Sequence, residues 1–390
     1  MGLRKATRDA ARSWCYRPPP LADETLSSWL IRVAQGMRLR PITFLNAVWG
    51  TGRSLVNQDL DNFAPELVVT RIVTATDISE DALRMMTLAE YEGRLFERFP
   101  PKGRKTWILP VRVVSNDRRR HGLQYCPACL RDDPVPYLRR TWRLAFATGC
   151  TCHGIALHDA CPACGATVQP YRARAIELCY RCARPLADAS HTPASAQALR
   201  LQRRCETALK RGWDELGEVP LYSHLSFMII RQVAALLVNG PRAGALRQAT
   251  SRAWSGDPAP FAKPTARQPI EYLGIEERAR LFDLVGRLLD GFPFKLVHAC
   301  LEARIGRFHA TKDMDFPPSM WVATVRLYLD LEPYKASEAE VAAAAAWLRR
   351  TKGSARYRDL KALCGESRTA IYRHMDYERS QARPSWRAGV

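Results

Sequence analysis

No apolar run in the 390-residue chain approaches the ~18 residues that a membrane span requires. The most hydrophobic helix candidate, Leu221 to Val238, is interrupted by His224 and Arg231 and reads as a soluble core helix. Met1 to Arg12 carries charge without an apolar h-region, so no secretory signal is expected. Disulfide pairing of the cysteines, which needs an oxidising compartment, loses its setting with it. Catalytic signatures are equally scarce. No Gly-x-x-x-x-Gly-Lys-Ser/Thr phosphate loop is present, so the chain by itself is not expected to hydrolyse ATP. There is no His-Glu-x-x-His metalloprotease helix. The Pro-Cys-x-x-Cys arrangement of zinc deaminases lacks its preceding His-x-Glu, which removes the general acid. A two-metal nuclease needs three acidic ligands in a strand-rich domain, and the helical character of residues 195–347 argues against that fold. The expectation is a protein that is not an enzyme.

Acidic side chains are also in deficit. Lys and Arg number 59 against 39 Asp and Glu, a net charge of +20, which favours attraction to a polyanion such as DNA or RNA. The excess is localised. Residues 100–184 hold 15 basic and 5 acidic side chains, and residues 349–390 hold 11 and 4, so 17 of the 20 excess charges fall in two foci. A solvated face would explain one scattered basic segment. Two separated foci favour nucleic acid.

What the chain does contain is a dense series of metal-ligand residues. Cys126, Cys129, Cys150, His153, Cys161, Cys164, Cys179 and Cys182 form four pairs, each separated by two residues, within 57 positions. A Cys-x-x-Cys knuckle directs two thiolates at one ion, and two knuckles complete the tetrahedral shell of a structural zinc. Four pairs imply two zinc ions with saturated shells and no open position for catalytic water. The gaps between pairs are twenty, seven and fourteen residues. Closing the shorter loops costs less entropy than interleaving them, which groups Cys126, Cys129, Cys150 and His153 as one site and Cys161, Cys164, Cys179 and Cys182 as the other. A cross-braced pairing remains an alternative, and Cys152 competes with Cys150 for the first site. Cys126-Pro-Ala-Cys129 and Cys161-Pro-Ala-Cys164-Gly165 place Pro and, once, Gly where a knuckle needs a preset or permissive dihedral.

The patterning predicts a mainly α fold with small zinc-ribbon β elements. Residues 1–15 form a basic leader. Residues 16–99 form an N-terminal helical domain: Asp23 caps a helix carrying Leu26, Trp29, Leu30 and Val33, Pro41 opens a second that ends at Gly50, and Asp77-Ile78-Ser79-Glu80 opens a third. These helices suit either a helix-turn-helix or a plain packing module. Pro100 to Pro110 serves as a boundary, and residues 100–190 form the tandem zinc-binding region. Within it, Tyr137 to Phe146 reads as a strand or helix with Trp142 and Phe146 in the core. Arg139 and Arg140 are expected to be exposed and available to nucleic acid. Residues 191–347 read as a helical domain interrupted by a long surface loop at 241–270. Residues 348–390 read as a C-terminal helix-turn-helix and basic tail: Ala355 to Leu363, a turn at Cys364-Gly365-Glu366, and a second helix from Arg368 through Met375 capped by Ser367. The N-terminal end of such a second helix enters the major groove, which nominates Arg368, Thr369, Tyr372 and Arg373 as nucleic-acid contacts. A helical hairpin whose basic residues merely face water is the alternative.

Five segments stand together in the chain: Pro20 to Ala34 (PLADETLSSWLIRVA), Tyr125 to Leu130 (YCPACL), Pro136 to Leu144 (PYLRRTWRL), Cys150 to Leu157 (CTCHGIAL) and Cys161 to Gly165 (CPACG). Together they resemble the TniQ family, which includes the TnsD-type target selectors of transposons. The resemblance spans roughly residues 16–185. It implies a non-catalytic adaptor that selects a target and passes it to an AAA+ ATPase regulator, which recruits the transposase. In CRISPR-associated transposons such proteins dimerise and dock on an RNA-guided Cascade complex. The family's zinc ligands carry over to the eight positions named above, and a cytoplasmic, nucleoid-associated setting is implied. A stand-alone zinc-ribbon and helix-turn-helix transcription regulator is the competing reading.

Overall fold

A computed structural model of the protein describes residues 14–381 apart from 52–54, 56–57, 63, 101–104, 112–122, 218, 262–269, 313, 315, 331–334 and 366. It divides into two compact units, Met1–Leu329 and Asp330–Val390. Among the described residues the chain is mainly helical, with one two-stranded sheet and two cysteine-rich, ribbon-like clusters.

The first unit begins with α1 (Leu26–Gly36), which buries Leu26, Trp29, Leu30 and Val33 as its spacing predicts. Its cap differs from expectation. Thr25 accepts the Ser28 N–H, while Asp23 sits at φ 59° and its carboxylate accepts from the Thr141 hydroxyl at 2.7 Å. Both residue types suit an N-cap, so a partner 118 positions away decided between them. α2 (Pro41–Trp49) starts on Pro41 and stops at Gly50, φ 84°. α3 (Glu66–Ala75) was not anticipated. Its Leu-Val-Val-Thr-Arg-Ile-Val run is rich in β-branched residues of low helix propensity, and burial of Val68, Ile72 and Ala75 on one face overrides that preference. α4 (Glu80–Met85) is capped by Ser79, which accepts the Ala82 N–H. Trp14, Trp29, Phe44 and Trp49 pack at the centre of these helices, with ring centroids 5.0–6.3 Å apart.

A second, larger core runs from the metal-binding region into the helices that follow. Trp107 joins it, packed on Phe146, Phe227 and Phe282, so part of the segment expected to be a boundary is interior. The stretch 137–146 is neither strand nor helix: it contains a single 3-10 turn, Arg140–Arg143, with Trp142 and Phe146 buried. After α5 (Pro127–Asp132) come α6 (Ala196–Arg211), the hairpin β1 (Trp213–Leu216) and β2 (Val219–Tyr222), and α7 (Ser223–Val238). The antiparallel register sets Trp213 opposite Tyr222. α8 (Ala243–Trp254) lies inside the stretch read as a surface loop. Its apolar face is short, only Leu246 and its small neighbours, and the prolines that suggested a loop begin after it, at Pro258. α9 (Ile275–Leu289), α10 (Phe294–Glu302), α11 (Arg307–Ala310) and α12 (Ser319–Thr324), which runs on into a π turn at Val325–Leu329, complete the unit.

The second unit is a three-helix cluster: α13 (Glu338–Lys352), α14 (Tyr357–Cys364) and α15 (Arg368–Gln381) around Val341, Ala345, Leu348, Leu360 and Ile371. α13 runs through residue 347, while the division between compact units falls at Leu329. α15 extends well beyond Met375. The Ser367 hydroxyl accepts the Ala336 N–H and donates to the Cys364 carbonyl at 2.7 Å, fixing the turn between α14 and α15. Among the described residues no helix is long and apolar enough to cross a membrane.

Candidate metal centres and the surrounding charge

Four short loops supply the ligands. In the first, Pro127 opens α5 and the Cys129 N–H points at the Cys126 sulfur, 3.4 Å away. The other three share one backbone pattern. Cys150, Cys161 and Cys179 each donate their N–H five or so residues onward, to Ile155, Ala166 and Arg184, and each accepts from the residue four positions on. That fourth residue is Gly154, Gly165 or Ala183, at φ 70°, 67° and 58°. The loop needs a left-handed residue there, which costs a side chain about 1–2 kcal/mol. Ala183→Gly is therefore expected to stabilise the protein by about 1 kcal/mol and Gly165→Ala to destabilise it similarly, read as opposite shifts of the unfolding midpoint.

These loops bring the eight expected residues into two groups, Cys126, Cys129, Cys150 and His153, and Cys161, Cys164, Cys179 and Cys182, with ligand atoms in each within 4.8 Å of one another. The pairing is sequential rather than cross-braced. Cys152 is exposed and lies outside both groups. Adjacent side chains diverge, and His153 takes the position facing Cys150. In the first group Cys129 and Cys150 sulfurs are 3.6 Å apart, and His153 Nδ1 lies 3.6, 3.3 and 3.5 Å from the sulfurs of Cys126, Cys129 and Cys150. In the second, Cys161–Cys182 and Cys164–Cys179 are 3.6 and 3.7 Å. A tetrahedral ion bound at about 2.3 Å by sulfur and about 2.0 Å by nitrogen demands edges of roughly 3.8 and 3.5 Å. The residues fit such an ion, and each cluster could hold one.

The electrostatics agree with that chemistry. Hydrogen bonding with Cys129 pulls the Cys126 thiol down to about 3, while the same contact pushes Cys129 up. The Arg184 N–H is the main cause that lowers Cys182, to about 7. Crowded sulfurs cannot all ionise together without a cation, and a dication would hold all of them as thiolates.

Surrounding contacts, which spacing does not reveal, orient these loops. Asp132, at the end of α5, places a carboxylate oxygen 3.6 Å from His153 Nε2, the usual outer partner of a metal-facing imidazole. From α6, Gln202 accepts the N–H groups of Thr148 and Gly149 and donates to the Gly149 carbonyl at 2.8 Å. An added Cβ at Gly149 would come within 2.8 Å of Leu199 and Ala194, so glycine lets α6 approach.

The arginines between the first site's pairs differ from expectation. Arg139 is bound by both oxygens of Asp133, each at 3.0 Å, and lies over the Tyr137 and Trp142 rings. Arg140 pairs with Asp23 at 3.3 Å and is largely buried. Arg143 is fully buried, with Asp59 at 2.6 Å and Asp61 at 3.0 Å, and Asp61 also accepts the N–H and hydroxyl of Ser27 on α1. Burial raises the Asp61 carboxyl above its ordinary range and does the same to Glu24, which pairs with Arg32 at 2.6 Å. Lone buried charge is costly, so basic and acidic residues far apart in sequence converge. The positive stretch thus fastens the N-terminal helices to the metal-binding region.

In the second unit Arg368, Thr369, Tyr372 and Arg373 are exposed on the N-terminal half of α15. Tyr372 stacks on Tyr357 at 5.1 Å with the Arg368 guanidinium 5.6 Å from its ring, and Arg373 reaches Glu338 at 3.2 Å.

The N-terminal helices, their ion pairs to 139–143 and the first metal site all fall within residues 15–157, the stretch that the TniQ family model matches. Residues 15–157 of this chain thus form a TniQ domain. That domain implies a transposition-associated role, and the second cysteine cluster lies beyond the matched stretch. No curated protein matches the chain.

Proposed function

We propose that this TniQ-domain protein is a non-catalytic adaptor in DNA transposition, held rigid by two zinc ions, that marks a target and links it to an AAA+ ATPase regulator and, through that, to the transposase. The observation that carries the reading is the placement of the family's signature residues. Asp23, Arg140 and Arg143, with Asp61, build a bridge between helices and metal-binding region instead of converging on a reactive centre, while Glu24 pairs with Arg32 within the helices. Zinc is the ion whose tetrahedral N/S chemistry suits the two donor sets. Four protein donors complete each shell, which is the structural form of a zinc site. The N-terminal helices (16–99), metal-binding region (100–190), helical layer (191–329) and C-terminal helices with their tail (330–390) are its working parts, with 1–15 as a basic leader.

DNA contact is assigned to the second unit. Three helices around one core with a Gly365 turn are the form of a helix-turn-helix, and Arg368, Thr369, Tyr372 and Arg373 lie on the half of α15 that would meet a groove. Arg139 and Arg140 are occupied by Asp133 and Asp23 and contribute through the fold. Docking on an RNA-guided Cascade complex is the other route to a target. The Arg368→Ala/Arg373→Ala double variant is expected to lose at least about tenfold in affinity for target duplex and to lessen its salt dependence. Electrophoretic mobility shifts across a salt series check this, and unchanged binding would move recognition off the C-terminal helices. The adaptor role itself is tested by reconstituting the chain with its ATPase on target DNA. A chain that binds an operator alone and never forms the ternary complex is a transcription regulator instead.

A further inference from the structure

The helical layer of the first unit carries a cavity of about 170 Å³ between the end of α7, the start of α8 and α11. Its floor is apolar, Leu236 and Ile305, both buried. Among the described residues its polar lining holds the permanent cations Arg242 and Lys312, the imidazole of His309 and the amides of Asn239 and Gln232, and no carboxylate. The first turn of α8, which has no side-chain cap, opens on the same space, so its N–H dipoles add to the positive field. At the rim stands Phe308, 76 % exposed. A phenylalanine ring left in water on a four-residue helix contributes nothing to the core, and it presents a flat apolar face beside the cations.

We propose that this cavity binds a segment of single-stranded nucleic acid, with a phosphate held by Arg242 and Lys312 and an unpaired base stacked on Phe308. The combination selects the ligand. Cations alone would suit any acidic partner, but a cationic recess with an open aromatic face matches a phosphate and a base one nucleotide apart. The volume has room for a phosphate with its sugar, and not for a folded helix. A paired base in a duplex could not reach Phe308, so the site discriminates strand from duplex. The inference rests on unit 1 alone and stands independently of the transposition reading and of the α15 contacts.

The test uses full-length, metal-loaded protein carrying Arg368→Ala and Arg373→Ala, so that the C-terminal unit contributes little. Fluorescence anisotropy with a labelled 12-nucleotide single strand, as DNA and as RNA, is compared with the matching duplex and with AMP as competitor. Phe308→Ser is expected to weaken single-strand binding at least about fivefold, the lower end of what one base–aromatic stack contributes, and Phe308→Tyr to retain it. Arg242→Glu with Lys312→Glu should weaken it by about tenfold or more. Wild-type affinity in Phe308→Ser, equal losses for strand and duplex, or AMP binding as tightly as the oligonucleotide would each overturn the proposal. Should the charge variant misfold, ultraviolet cross-linking of a bromouracil strand to the unsubstituted protein decides: adducts on residues 304–312 support the site, and adducts only elsewhere overturn it.

Discussion

Removing metal with a strong chelator is expected to unfold the region from Tyr125 to Leu186 and to lower the thermal midpoint of the first unit by tens of degrees. Each ion would contribute on the order of 10 kcal/mol of apparent folding free energy, the scale found for small structural zinc modules. The magnitude follows from what replaces the ion. The six-residue α5, two 3-10 turns and short β-bridges such as Gly149–Ala156, Ala160–Thr167 and Leu178–Pro185 are regular structure of this region, and they cannot offset the entropy of ordering these loops. Elemental analysis should return two equivalents of zinc per chain. Cys126→Ser should lower that to one, whereas Cys152→Ser should leave two, because Cys152 lies outside the donor set. Binding should weaken as pH falls, since protons compete for thiolates and imidazole. A protein that keeps its midpoint after complete chelation would remove zinc from the account.

The second large effect is expected at Arg143. Arg143→Ala leaves Asp61 buried beside Asp59 without its cation, and breaking a buried pair in this way costs about 3–5 kcal/mol. Urea unfolding of the first unit measures it. The pH dependence has a definite sign. Burial and the neighbouring Asp59 raise the folded-state carboxyl of Asp61, and Arg143 lowers it. Without Arg143 the folded pKa rises further above the unfolded value, so the folded state binds more protons and the variant's deficit should shrink as pH falls. A deficit that stays constant or grows on acidification would contradict the buried-bridge account. Asp61→Asn in the Arg143→Ala background should recover part of the loss at neutral pH by removing the stranded charge.

This network explains why the arginine-rich stretch misleads when read alone. Tyr-Leu-Arg-Arg-Thr-Trp-Arg has the composition of a phosphate-binding surface, and apart from the nearby Asp133 its acidic partners lie before and after α1, at Asp23, Asp59 and Asp61, some eighty or more residues earlier. Nothing in spacing couples them to the arginines. The same holds for α3, where β-branched residues conceal a helix, and for α8, whose few buried side chains leave little periodicity to read.

The metal ligands were legible because their geometry is local. Two residues separated by two others can face one ion whatever surrounds them, and loop entropy then favours joining neighbouring pairs, so sequence alone nominated the knuckles and favoured the sequential pairing, while the folded chain decided that pairing over the cross-braced one and Cys150 over Cys152. Helices with a continuous apolar stripe, α1 and α2, were legible for the same reason. Tertiary structure decided which charges are buried, that Thr25 rather than Asp23 caps α1, that Trp107 belongs to the interior, and that a basic recess faces Phe308. Most of those outcomes depend on partners brought together from distant parts of the chain, and burial is a property of the folded molecule that no local pattern of residues encodes.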